Sequence, residues 1–230
     1  MQFDFFLWPM LLPMVLPILY VIKYKKESFS EVSIITCTMV LIVIAYWPLT
    51  VGLESPSNIA TKFVLFVCLP LMFLYITWNI RKKQNKDFPF HEFGITHNGL
   101  EKSLKLGLLF IPLMLLVTLF AQYLISGISD PYIPLGAVSF IESFTEEFFF
   151  RGILFLFLLP RTNLPVAYIT SLSCFVLMHP QNITNPFIFS TILQGFLTLE
   201  ICRRSKNLIG AWVLHGTNRF FSIVILPFLM

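Results

Sequence analysis

Residues 137–159 read AVSFIESFTEEFFFRGILFLFLL, and the run Glu146-Glu147-Phe148-Phe149-Phe150-Arg151 at the centre decides how the chain is understood. Its length and apolarity suit a membrane span, which needs about 20 mostly apolar residues. Yet a charge at the middle of a span costs about 2.5–3.5 kcal/mol on insertion scales. Three ionisable groups within six residues are therefore a functional-site hypothesis set inside a membrane helix.

The rest of the chain supports a membrane solvent. Apolar residues make up 57% of the 230 and charged residues 12%, about half the charged share of a soluble domain. A chain so poor in polar residues cannot cover its own surface against water. The net charge of +4 lies in short loops between apolar runs, so it gives no nucleic-acid signal. Cys37, Cys68, Cys174 and Cys202 stand singly in apolar segments without metal spacing, and read as buried small residues.

Eight windows qualify as spans: Phe5–Ile22, Val32–Leu53, Phe63–Ile80, Leu104–Ile125, Ala137–Leu159, Pro165–Met178, Pro186–Ile201 and Leu208–Leu229. The fold class is thus an all-α, polytopic membrane protein of about eight transmembrane helices, one membrane domain overall. An acid, Asp4, stands where a signal peptide carries basic residues, so the first span reads as uncleaved. Alternate loops hold Lys23, Lys25 and Lys26, then Arg81, Lys82, Lys83 and Lys86 with Lys102 and Lys105, then Arg161, then Arg203, Arg204 and Lys206; the intervening loops hold only Lys62. The positive-inside rule then places both termini outside the cytoplasm; the membrane is expected to be the plasma membrane of a prokaryote. Pro9, Pro13 and Pro17 predict a kinked first span. The segment around Phe93, Ile95, Leu100 and Leu104 reads as a short interfacial amphipathic helix.

Residues four apart share a helix face, so Glu147 and Arg151 can pair. Glu146, turned about 100° away, lacks a local partner; Glu142, one turn earlier, is a second carboxylate on its face. His179, one turn after Phe175, and His215, with Asn218 and Arg219 on its face, lie in apolar sequence and can supply the missing partner. A Glu–His pair would activate water, and a second His with Asn would hydrogen-bond a developing oxyanion. Blander roles suit other residues: Glu200 as an interfacial partner of Arg203 and Arg204, His91 and His97 as solvated loop residues, Phe148–Phe150 as packing. One tension is depth. Glu146 lies about 13 Å from the outer end of its helix, His179 at the outer end of its window and His215 nearer the inner side, so they meet only if the sixth window is displaced or a helix bends.

In order, Glu146-Glu147-x-x-x-Arg151, Phe175-x-x-x-His179 and His215 followed by Asn218 resemble the motifs of the CAAX-processing and bacteriocin-processing (CPBP) intramembrane proteases. The flanks Arg151-Gly-Ile-Leu and Leu208-Ile-Gly-Ala-Trp-Val-Leu-His215 are similar as well. The resemblance spans about Glu142 to Phe220. It implies a glutamic endopeptidase in which Glu146 and His179 activate water, Glu147 and Arg151 support the site, and His215 with an asparagine forms the oxyanion hole. It divides the chain into N-terminal spans and a polar loop, 1–103, and a protease core, 104–230. The family's final polar residue stands four after the histidine, where this chain has Arg219; either Asn218 or Arg219 completes the oxyanion site. The implied partners are the lipid bilayer and a membrane-associated protein or peptide, lipid-modified or not, and no cofactor. Two alternatives remain open at this point: a zinc enzyme with the glutamate and both histidines as ligands, and a non-proteolytic scaffold, immunity protein or proton-coupled transporter using the same buried groups.

Overall fold

The computed structural model describes residues 5–50, 55–80, 88–125, 131 and 133–229. The basic run from Arg81 to Lys86, the N-terminal acid Asp4 and residues 126–130 lie outside the described residues. The described residues are helical, without strands. α1 is Val15–Tyr24, α2 Phe29–Thr50, and α3 runs from Ser55–Phe63 through a π-helical stretch, Val64–Cys68, into Leu69–Ile80. α4 is Leu100–Tyr123, and α5 joins Ile133–Glu147 to a wide π-helical segment, Phe148–Phe157. α6 is Leu164–Leu177, α7 the single turn Pro180–Ile183, α8 Phe187–Ser205, and α9 Ile209–Phe220 continued through Phe221–Ile225 and Leu226–Leu229.

Each of the eight apolar windows coincides with a helix, and the protein is a polytopic, all-α integral membrane protein. Among the described residues, four helices are long and apolar enough to cross a bilayer: Lys26–Tyr46, Ser57–Ile80, Leu100–Tyr123 and Ile209–Leu229. α5 and α8 carry charges that dilute their apolarity, and α6 is short.

The first span departs from a single kinked helix. Pro9 lies in a 3₁₀ segment, Phe5–Leu11, and a turn holding Pro13 precedes α1. Hydrogen bonds of the i→i+3 type, such as Leu12 N–H to the Pro9 carbonyl at 3.1 Å, carry the chain there, because proline offers no N–H for an α-helical ladder. The expected interfacial helix is met only in part: Leu100 and Leu104 belong to the first turns of α4 itself, whereas the segment before it is not α-helical. Phe93 instead turns into the bundle from a 3₁₀ turn, Phe90–Phe93, and stacks on Phe157 at 4.9 Å, with Gly94 in the left-handed region ending the turn. Only two of the four cysteines are buried: Cys174 and Cys202 are in the core, whereas Cys37 and Cys68 are exposed on the outside of the bundle. A thiol is apolar enough to face lipid as readily as core.

Without a hydrophobic drive between helices in lipid, close packing must hold them. α4 and α9 meet at Gly107 and Gly210, where a Cβ on Gly210 would overlap the Ser103 carbonyl oxygen. A chain of rings, Phe66, Phe149, Phe150 and Phe175, with centroids 5.3–5.4 Å apart, joins α3 to α5 and α6. Phe148, Phe149 and Phe150 are thus core packing.

One end of the bundle collects the loops that the charge pattern grouped together. Lys25 donates to the Pro160 carbonyl at 2.7 Å, and Arg161 pairs with Glu31 at 2.8 Å and Glu92 at 2.7 Å. Asn207 donates to the Thr96 carbonyl at 2.6 Å. Glu200 accepts from Arg203 and Arg204 near the same end, as expected of an interfacial cluster. His91 and His97 are exposed.

Candidate active site

α5 brings Glu142, Glu146 and Glu147 into the interior on successive turns, all three buried. The helix widens immediately after Glu147, and such π-helical departures commonly accompany functional side chains. Arg151 follows in that wide segment and is 0% exposed. Its Nε lies 3.1 Å from Glu147 Oε2 and donates to Thr198 Oγ1 at 2.8 Å. Its Nη2 reaches Thr198 and the Gly195 carbonyl, and the guanidinium stands 4.2 Å from the centre of the Phe175 ring. Gly195 makes this approach possible, since a Cβ there would be 2.8 Å from Leu172 and 3.1 Å from Phe175. The local i,i+4 pair expected from the sequence is therefore present, extended by α6 and α8.

The other Glu147 oxygen, Oε1, lies 2.8 Å from His215 Nδ1, on α9. A carboxylate accepts, so Nδ1 carries a proton, and in the neutral ring Nε2 presents its lone pair. His179 is fixed by the same logic. Its Nδ1 is 2.8 Å from the Phe175 carbonyl, which can only accept, so its Nε2 is also left as an acceptor. Both Nε2 atoms face Glu146 Oε2, at 3.7 Å from His179 and 3.8 Å from His215. That oxygen is buried and has no hydrogen-bond partner.

The depth problem resolves through α6. Its 14 residues cover about 21 Å, short of the roughly 30 Å of hydrocarbon. The helix therefore stops within the bundle, and His179 stands just beyond it, ahead of α7. The structure thus brings Glu146, Glu147, Arg151, His179 and His215 together.

Asn218 and Arg219 occupy different positions. Asn218 donates to Gln194 Oε1 and accepts from Thr118 Oγ1, both at 2.8 Å, in a chain that continues to Ser190 at 2.9 Å. Arg219 donates to Glu142 and places Nη1 3.8 Å from Glu146 Oε1, while its buried Nε has no partner. A cavity of about 120 Å³ opens beside the histidines, lined by Phe175, His179, Gln194, His215, Asn218 and Arg219 among others. That is room for several waters.

Sequence reasoning missed Lys62, which it placed in a loop. Lys62 is 6% exposed, with Nζ bonded to Glu142 Oε1 and 3.3 Å from Glu146 Oε1. One signal was available: on a helix it shares a face with Ile59 and Phe66, both buried. It also missed the polar residues of α4 and α8 (Thr118, Ser190, Gln194, Thr198), each unremarkable in isolation. The side chains a metal would use are Glu146, His179 and His215; among the described residues no three His, Cys, Asp or Glu are grouped to hold one.

No curated protein and no solved structure matches the chain. A family model described as "Type II CAAX prenyl endopeptidase Rce1-like" matches residues 128–221, the stretch that holds Glu142, Glu146, Glu147, Arg151, His179, His215, Asn218 and Arg219 but not Lys62 or Thr118. Over that stretch, less than half of its length, the chain is similar to the CAAX protease (CPBP) family.

Proposed function

We propose that the protein is a glutamic intramembrane endopeptidase in which Glu146 is the general base. The observation that carries this reading is the unpartnered Glu146 Oε2, faced by two imidazoles that themselves line a cavity of about 120 Å³. Gaps of 3.7 and 3.8 Å are too long for direct hydrogen bonds, and a modest opening of either gap admits a bridging water. Such a water donates one proton to Glu146 Oε2 and the other to an imidazole Nε2, leaving an oxygen lone pair for attack.

The chemistry balances without further groups. The water oxygen bonds to the scissile carbonyl carbon as its proton passes to Glu146; the carbonyl oxygen becomes the oxyanion. When the C–N bond breaks, the Glu146 carboxyl returns that proton to the leaving amine. His179 holds the water, and Glu147 with Arg151 fixes the ring of His215. The resemblance assigns the oxyanion to His215 and an asparagine. With Nδ1–H committed to Glu147, His215 donates from Nε2 only as an imidazolium, so we assign the oxyanion to the unspent Nε–H of Arg219 and the Asn218 amide N–H that Gln194 does not take. Preformed donors of this kind commonly supply the largest single share of catalysis.

The substrate is a membrane-associated protein or peptide, cut near a terminus. The end of the bundle bearing Lys25, Arg161 and Asn207 is proposed to face the cytoplasm. Withdrawing Lys62 into the site leaves the two described segments opposite, around residues 131–135 and 180–186, without lysine or arginine.

The test is cleavage in vesicles reconstituted with the wild type, Glu146→Gln or His179→Gln, normalised to inserted protein. Loss of a positioned base or its partner lowers the rate by about 10²–10⁴. Cleavage by Glu146→Gln within threefold of the wild type overturns the assignment.

A further inference from the structure

Lys62 lies outside the family-matched stretch, on a helix of the N-terminal half, yet it touches the carboxylate that the proposed mechanism uses. Three features define its place. Its ammonium is buried between Glu142 Oε1 and Glu146 Oε1, with the Tyr46 ring 5.9 Å away. It engages one oxygen of Glu146 while the other, Oε2, is left facing the imidazoles. It also completes a charge balance: the buried carboxylates Glu142, Glu146 and Glu147 are met by three cations, Lys62, Arg151 and Arg219.

Removing one cation from such a set leaves an uncompensated buried negative charge, a costly state in a water-poor interior. The nearest groups able to answer it with a proton are Glu146 itself and the two histidines, and a proton on any of them disables the water site. Arg219 is no substitute, because Glu142 already takes its Nη2 and its Nη1 stands 3.8 Å from Glu146.

Resting on the reading of Glu146 as base, we infer that Lys62 is a positioning residue for the reaction: it anchors Glu146 through Oε1, so that Oε2 is presented to water between His179 and His215. The catalytic unit then crosses the division at residue 103, with α3 supplying a part that the C-terminal half lacks. The role of the N-terminal helices is more than anchorage in lipid.

The experiment compares Lys62→Met, Lys62→Arg and Glu146→Gln in reconstituted vesicles, with kcat and KM measured per inserted molecule. Lys62→Met keeps most of the apolar stem and removes the cation. It is expected to lose about 10²-fold in kcat, the scale of a misplaced catalytic group, with KM changed less than threefold. Lys62→Arg restores a cation and is expected to insert normally and keep at least a tenth of the wild-type kcat. Lys62→Met cleaving within threefold of the wild type overturns the inference, as does Lys62→Arg that inserts fully but cleaves less than a hundredth as fast. If Lys62→Met fails to insert, the Lys62→Arg arm decides. Glu146→Gln separates the two layers. An active Glu146→Gln removes the underlying mechanism, whereas an inactive Glu146→Gln beside a fully active Lys62→Met removes the Lys62 role alone.

Discussion

Replacing Arg151 by methionine tests the support beneath the site. Arg151 is fully buried, holds Glu147 at 3.1 Å, donates to Thr198 and packs over Phe175. Removing one partner of a buried pair costs about 3–5 kcal/mol, because the remaining charge is left uncompensated. At about 1.4 kcal/mol per tenfold, the folded-to-unfolded ratio should fall by a factor of roughly 10²–10⁴. A second variant shows whether that cost is electrostatic. In Glu147→Gln/Arg151→Met both charges are gone, yet the carbonyl of the new side-chain amide still accepts from His215 Nδ1. The double variant should therefore recover more than half of the lost stability, and such coupling is expected of residues in contact. Unfolding in mixed micelles with a denaturing detergent, followed by tryptophan fluorescence, measures all three proteins. Arg151→Met within about 1 kcal/mol of the wild type, or a double variant as unstable as the single, would refute the argument from buried charge.

Other expectations follow from separate parts of the structure. Gly210→Ala places a Cβ against the rigid Ser103 carbonyl; it should cost at least about 1–3 kcal/mol in the same unfolding measurement, and an unchanged midpoint would contradict the α4–α9 contact. Cysteines introduced at Lys25 and Thr184 should react with a membrane-impermeant maleimide from opposite sides, Lys25→Cys only after the cytoplasmic face is opened; the reverse pattern inverts the proposed orientation. Purified protein should keep cleaving after chelator treatment, whereas loss of activity restored by zinc would make Glu146, His179 and His215 metal ligands.

What the sequence made legible is what depends on local geometry. The eight apolar helices follow from apolar windows, and the Glu147–Arg151 pair from i,i+4 spacing, which the wide turn after Glu147 preserves. The approach of His179 and His215 was expected from their order and chemistry, but not their depth. The window Pro165–Met178 already showed a helix of about 14 residues, but its placement relative to the helices bearing Glu146 and His215 depends on packing that hydropathy does not carry. Lys62 was misplaced because its meaning lies in Glu142 and Glu146, some 80 residues away. A lysine at a span's edge looks the same in sequence whether it faces water or a buried carboxylate. Phe93 is a similar case: amphipathic spacing suggested the interface, and the rings of Phe148 and Phe157 drew it into the bundle instead. Asn218 and Arg219 share a helix face in sequence, yet α4 and α8 give them different partners. Asn218 is held by Gln194 and Thr118, while Arg219 keeps an unspent N–H beside the cavity.

The central claim is that Glu146 activates the hydrolytic water. Its most direct test compares the termini of membrane proteins in host cells carrying the wild-type chain, Glu146→Gln at equal membrane abundance, or no copy. The account predicts a set of new termini that appears with the wild type and is missing from both other strains. The same termini arising with Glu146→Gln would contradict it.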